Sequence, residues 1–148
     1  MITMSESSES KEGAPEGDAP SRILVVDDEP ALLRLMEFVL ARQGYVLRMA
    51  TNGDEALIAA REFRPDLIVL DIMMPRRDGY AVTEEIRADP LLSATPILML
   101  SAKAQEADIE RGMAAGVDTY ITKPFDPDAL AETVASYLRR SRQLPATQ

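Results

Sequence analysis

An α/β fold, one five-stranded parallel sheet doubly wound with helices on both faces, is what this 148-residue chain predicts. Three features predict it. From Ser21 onward, short β-branched apolar runs alternate with segments of helical periodicity. The connections between them are short. Several runs are apolar enough to be buried on both sides, as parallel strands are. Met1 to Pro20 stands apart, with five acidic residues, four serines, one lysine and nothing apolar larger than Ala after Met4. Such a stretch buries too little surface to offset its ordering entropy. Residues 1-20 are therefore expected to form a disordered acidic tail, 21-140 the folded domain and 141-148 a short C-terminal tail.

The elements follow in order. Arg22 to Val26 is a nearly continuous apolar strand. Glu29 to Gln43 carries Leu32, Leu35, Met36, Val39 and Leu40 at the spacing of one helix face, with Pro30 in the first turn and Gly44 past the end. Tyr45 to Met49 is the second strand. Asn52-Gly53-Asp54-Glu55 resembles a capping box and opens a helix with Ala56, Ala59, Ala60 and Phe63 inward, broken by Pro65. Asp66 to Leu70 is the third strand. The loop Asp71 to Gly79 leads to a helix ending near Asp89-Pro90. Pro96 to Leu100 is the fourth strand. A helix from about Gln105 to Ala115 has a thin apolar stripe, chiefly Ile109 and Met113, and closes at Gly116. Val117 to Thr122 is the fifth strand. Asp126-Pro127 starts a last helix with Leu130, Val134, Tyr137 and Leu138 inward, fading at Arg139 to Arg142. This alternation suits the flavodoxin-like strand order 2-1-3-4-5, in which sites form beyond the carboxyl ends of the strands.

Composition narrows the chemistry. There is no Cys and no His, which excludes disulfides, thiolate nucleophiles, imidazole metal sites and Ser-His-Asp triads. Sixteen basic against 25 acidic side chains give a net charge of −9, the wrong sign for coating a nucleic acid, so no direct nucleic-acid binding is expected. No apolar run approaches the roughly 20 residues of a membrane helix, and no secretory signal opens the chain. A cytoplasmic location without membrane contact is expected.

The strand ends carry Asp27, Asp28 and Glu29 after the first strand, Asp71 after the third, Ser101 after the fourth and Lys123 after the fifth. Taken singly, each has an ordinary role as a helix cap, loop hydroxyl or surface lysine. Their joint placement at the ends of four strands does not. Converging carboxylates stay ionised together only with a cation among them, and an all-oxygen set selects a hard ion, Mg²⁺ before Ca²⁺. The acidic run after the first strand would also repel a bare phosphate, which argues against a flavin-phosphate site.

Four segments, VVDDEP at 25–30, LIVLDIMMPRRDGY at 67–80, ILMLSAK at 97–103 and DTYITKPF at 118–125, resemble the receiver domains of two-component response regulators. The resemblance covers about Arg22 to Leu138. It implies that Asp71 is the phosphoacceptor and that Asp27, Asp28, Asp71 and the Met73 main-chain carbonyl hold Mg²⁺. It further implies that Ser101 and Lys123 contact the phosphoryl group, that Tyr120 is the aromatic switch residue, and that the Lys123-Pro124 peptide is cis. The implied partners are a sensor histidine kinase or phosphotransfer protein and a downstream protein target. Only ten residues follow Leu138, so a stand-alone receiver that works by altered contacts is expected.

Two other readings stand beside this one. A hydrolase of the haloacid-dehalogenase kind would place an acid/base Asp two residues after its nucleophile, where this chain has Met73. A degenerate receiver acting as a binding scaffold would not need the complete set of Asp28, Asp71, Ser101 and Lys123. Homodimerisation is expected through the face of the fourth helix, fifth strand and last helix. There Glu106, Asp108 and Glu110 accompany Arg111, Arg139 and Arg140, a mixture suited to a two-fold contact.

Overall fold

The structure, a computed structural model, describes residues 19–74, 76–102 and 106–143, the side chains of 106–108, 142 and 143 excepted. The expected acidic tail as far as residue 18, Pro75, Lys103 and residues 144–148 lie outside the described residues. The element order is β1 (Arg22–Val26), α1 (Pro30–Ala41), β2 (Val46–Ala50), α2 (Gly53–Phe63), β3 (Leu67–Asp71), α3 (Gly79–Ala88), β4 (Ile97–Ser101), α4 (Glu106–Ala115), β5 (Thr119–Thr122) and α5 (Pro127–Gln143). All strand pairs are parallel, in the order β2-β1-β3-β4-β5. The fold is the one the sequence predicts.

Strand alternation sorts the core onto two faces. Leu24, Val26, Ile68, Leu70, Ile97 and Met99 meet Ala56, Ala60, Val82 and Ile86 from α2 and α3. Ile23, Val25, Leu67, Val69, Leu98 and Leu100 meet Met36 and Leu40 of α1 and Leu130, Val134 and Leu138 of α5. Each Val, Leu, Ile and Met among them contributes about 1.5–3 kcal/mol by leaving water. This double coverage is why the inner strands read as continuous apolar runs.

Several details differ from the sequence expectation. β3 extends to Asp71 and β4 to Ser101, because Asp71 pairs with Leu100 and Ser101 with Thr122. β5 starts late, at Thr119, because the Asp118 carboxylate accepts from the Ile97 N–H at 2.7 Å, taking a donor the ladder would use. α5 runs on to Gln143, so the expected C-terminal tail begins inside the helix. On α1, Leu35 is 38% exposed. It lies about 100° around the helix from Met36, off the stripe that Met36, Leu40 and the partly buried Leu32, Leu33 and Val39 make. Phe63 is half-buried beneath the Arg22 guanidinium, 5.7 Å from its ring centre. Met113 is 53% exposed; among the described side chains of that helix, Gly112 and Ala115 are buried.

The capping expectation at Asn52 holds, with one change. Asn52 Oδ1 accepts from the Glu55 N–H at 2.9 Å. Glu55 reaches back one residue further than a capping box does, accepting from the Thr51 N–H and hydroxyl at 2.8 and 2.9 Å. Those bonds hold the Glu55 carboxyl below its ordinary range. Arg64, left-handed at φ 53°, ends α2 before Pro65. The Lys123-Pro124 peptide is cis, as the resemblance implies. Among the described residues no helix is long and apolar enough to cross a membrane.

Candidate functional site

Parallel strands align their carboxyl ends on one edge, and the residues just past those ends meet there. The Asp27 N–H bonds the Ala50 carbonyl at 3.1 Å, carrying the β1 ladder one residue further and fixing the Asp27 carboxylate in the interior at 0% exposure. Asp71, 5% exposed, ends the neighbouring strand β3. Asp28 is exposed at the rim. Ligand oxygens of Asp27, Asp28 and Asp71 all lie within 4.8 Å of one another. Two unit charges at that distance repel by about 3–4 kcal/mol at an effective dielectric of 20.

Lys123, the first residue past β5, answers part of that charge. Its Nζ lies 3.2 Å from Asp71 Oδ1, to which it donates, and 3.2 Å from Asp27 Oδ2. The backbone places it, since the Lys123 N–H bonds the Ser101 carbonyl at 2.7 Å. Burial and then the Asp27 charge push the Asp71 carboxyl above its ordinary value, and Lys123 offsets only part of this. Burial works against the Lys123 ammonium, but Asp27 and Asp71 outweigh it and raise its pKa. The site is a buried carboxylate under strain from like charge, with one cation in place.

One oxygen shows that the cluster accommodates more positive charge. Asp27 Oδ1 accepts from the Glu29 N–H at 2.9 Å. Asp27 Oδ2 is fully buried and faces the Lys123 ammonium at 3.2 Å, a cation it shares with Asp71. One lysine shared by two buried carboxylates leaves charge unanswered, and a hard cation bound by oxygens would relieve the remaining repulsion. The residues present fit such an ion.

The cleft above the cluster encloses about 610 Å³ and is lined by Asp28, Asp71, Met73, Ser101 and Lys123, among others. The structure thus brings together the acidic residues, the hydroxyl and the lysine singled out by sequence. Met73 lines the mouth and is 75% exposed. Gly79 is required close by, because a Cβ there would stand 2.7 Å from the Asp71 carbonyl oxygen. Tyr120 is not in the cleft wall. It is partly buried against the α2–α3 side of the core, with its hydroxyl packed on Gly112 of α4. Sequence reasoning did not assign to the site three further lining residues with polar groups: Asp78, whose Oδ1 caps α3 by accepting from the Ala81 N–H at 2.9 Å, Tyr80, and Arg111, which it placed only on the expected pairing face. Arg111 had no local signal, since only the packing of α4 against α3 carries it to the cleft.

The Tyr120–Gly112 contact has a measurable consequence. A methyl at residue 112 would overlap the Tyr120 hydroxyl. Gly112→Ala is expected to swing the Tyr120 ring out of this contact with little net change in stability, because the hydroxyl end can move and Ala favours the helix by about 1 kcal/mol. Unchanged ring resonances of Tyr120 in the variant would refute the contact.

Comparison with known proteins agrees with this geometry. Residues 23–135 match the family described as the response regulator receiver domain. The DNA-binding response regulator MtrA of Mycolicibacterium smegmatis is 43% identical over 125 residues, covering 84% of this chain and 54% of that protein. The transcriptional regulatory protein ResD of Bacillus subtilis is 46% identical over 123 residues, covering 83% and 50%. The chain thus spans about half the length of these curated relatives. Among solved structures, the receiver domain of a sensor histidine kinase of Pseudomonas aeruginosa, with a magnesium ion coordinated in its active-site cleft, is 33% identical. It has a TM-score of 0.76 and covers 82% of this chain and 99% of that one.

These relatives correct the expectation of no direct nucleic-acid binding. That expectation rested on net charge and on the few residues after Leu138. Receivers similar to this one occur in proteins named as DNA-binding and transcriptional regulators, so acidity of the receiver does not argue against a DNA-directed output. The stand-alone reading drawn from the residues after Leu138 gains nothing from relatives twice as long. The face expected to pair two copies also looks different in the chain itself. Arg111 turns onto Tyr80 and Asp78, Arg140 stacks on Tyr137, and the Glu106 and Asp108 side chains lie outside the described residues. The chain belongs to the response regulator receiver domain family, and is a signalling domain of two-component systems.

Proposed function

We propose that Asp71 accepts a phosphoryl group from the phosphohistidine of a sensor histidine kinase or phosphotransfer protein. The observation that carries this is the buried Asp71 carboxylate, 3.2 Å from the Lys123 ammonium and clustered with Asp27 and Asp28 within 4.8 Å. An Asp71 oxygen forms the new P–O bond as the donor's P–N bond breaks, and the leaving imidazole keeps the electron pair and takes up a proton. Such transfer needs positioning and charge neutralisation more than covalent help. Asp27, Asp28, Asp71 and the Met73 carbonyl would hold Mg²⁺, which supplies charge neutralisation for the incoming phosphoryl. Lys123 donates to Asp71 Oδ1, and Ser101 lines the same cleft, where its hydroxyl would meet a phosphoryl oxygen.

The output follows as altered contacts with a downstream protein target. A hydrogen bond from Ser101 to the phosphoryl group draws the β4–α4 connection inward, and Tyr120, packed on Gly112, reports that shift to α4. Transfer to the chain itself and loss of the group are the only reactions this reading assigns, and a cytoplasmic location goes with it. The hydrolase alternative lacks support, because Met73 stands where its acid/base Asp would be. Uptake is tested by intact mass after incubation with acetyl phosphate and Mg²⁺: one added phosphoryl group supports the reading.

Met73 bears on the lifetime of that group. Its apolar side chain at the cleft mouth does not orient water for attack. Met73→Asn is expected to speed phosphate loss several-fold in a time course, and equal decay in both proteins would sink this role.

A further inference from the structure

The proposed reaction leaves a charge that the known parts of the site do not answer, and one residue is placed to answer it. Asp27, Asp28 and Asp71 carry three negative charges, and a bound Mg²⁺ with Lys123 balances them. Phosphorylation replaces the single charge of Asp71 by about −2 on the phosphoryl oxygens. One negative charge is then in excess, facing the cleft.

Arg111 lines the same cleft as Asp71, Ser101 and Lys123, from α4. Its guanidinium lies over the Tyr80 ring, 4.2 Å from the centroid, and its Nη2 is 3.9 Å from Asp78 Oδ2. That ion pair is long, and both side chains are largely exposed, so it contributes little. Asp78 is held independently, its other oxygen capping α3. Arg111 can therefore leave Asp78 without undoing the α3 cap. Tyr80 is buried, so the stacked guanidinium has a firm base from which to turn. A planar, always-charged fork suits phosphoryl oxygens better than a point charge does.

We infer that Arg111 is a second phosphoryl-contacting cation, recruited to the group on Asp71 after transfer. This rests on the phosphoacceptor reading above. It also gives α4 its own attraction to the phosphorylated site, at the residue adjoining Gly112, on which Tyr120 packs. The phosphoryl group then acts on α4 directly as well as through Ser101.

The test uses the full chain, saturating Mg²⁺ and beryllium trifluoride as a stable phosphoryl mimic, with the bound fluorides followed by ¹⁹F NMR. Arg111→Gln is expected to weaken the mimic roughly tenfold, the effect of one charge-assisted contact. Arg111→Lys should recover part of the loss. Mg²⁺ affinity without the mimic should be unchanged or slightly tighter in Arg111→Gln, since a positive charge has been removed. Equal affinity for the mimic in parent and Arg111→Gln, with Asp71→Asn failing to bind, would overturn the role of Arg111 while leaving the site reading intact. Weakened Mg²⁺ binding in Arg111→Gln would overturn it too, by showing general damage. No binding by the parent would overturn the site reading and this inference together.

Discussion

Asp71→Asn is expected to abolish phosphoryl uptake completely, and chelation of Mg²⁺ should silence the parent nearly as fully. The reasoning runs from charge. Asp71 is 5% exposed and sits within 4.8 Å of two other carboxylates, so an approaching dianion meets concentrated negative potential. Lys123 at 3.2 Å offsets one charge of three. Without a further cation, transfer is opposed by several kcal/mol of repulsion at an effective dielectric of 20. The amide of Asn is nearly isosteric but lacks the nucleophilic oxygen, so its effect is on chemistry rather than packing. Its metal-free fold should in fact be the more stable, because one repelling charge is gone. Intact-mass spectrometry with acetyl phosphate reads all three arms. A fully labelled Asn variant, or full labelling in excess chelator, would contradict the assignment.

Arg87→Ala should be the most damaging surface-accessible substitution, costing about 2–4 kcal/mol where most exposed arginines cost within 0.5 kcal/mol. From the last turn of α3, Arg87 donates through Nε to the Gly116 carbonyl at 2.9 Å and through Nη1 to the Thr95 and Ser93 carbonyls at 2.6 and 3.0 Å. Its Nη2 pairs with Asp118 at 2.8 Å. These partners end α4, precede β4 and precede β5. One guanidinium therefore fastens two connections, α3–β4 and α4–β5, at the amino edge of the sheet, opposite the site. Removing it leaves partly buried carbonyls without donors and frees Asp118, whose bond to the Ile97 N–H sets the start of β5. For a domain of this size the loss corresponds to a fall in Tm on the order of 10 °C. Arg111→Gln serves as the control, since it loses only a long ion pair and one stacking contact. A thermal melt of Arg87→Ala within 2 °C of the parent would refute the bracing role.

Local pattern and strand direction carry most of the fold and of the site. Doubly buried strands read as apolar runs, and helices as stripes bounded by Asn52, Pro127 and Gly116. A parallel sheet places every strand's carboxyl end on one edge. Asp27, Asp28, Asp71, Ser101 and Lys123 were therefore legible as one site before any coordinate was known, because chain direction alone brings them together. Three things were decided only in three dimensions. The roll of each helix left Leu35 and Met113 outside, since a stripe defines a face only to within a residue's angular width. The depth of Tyr120 depends on Gly112, a residue whose lack of a side chain matters only when another element comes against it. The hubs at Arg87 and Arg111 join residues far apart in the chain through long, flexible side chains. Periodicity is silent about such side chains, because their partners are set by how α3, α4 and the sheet edge pack, not by their neighbours in sequence.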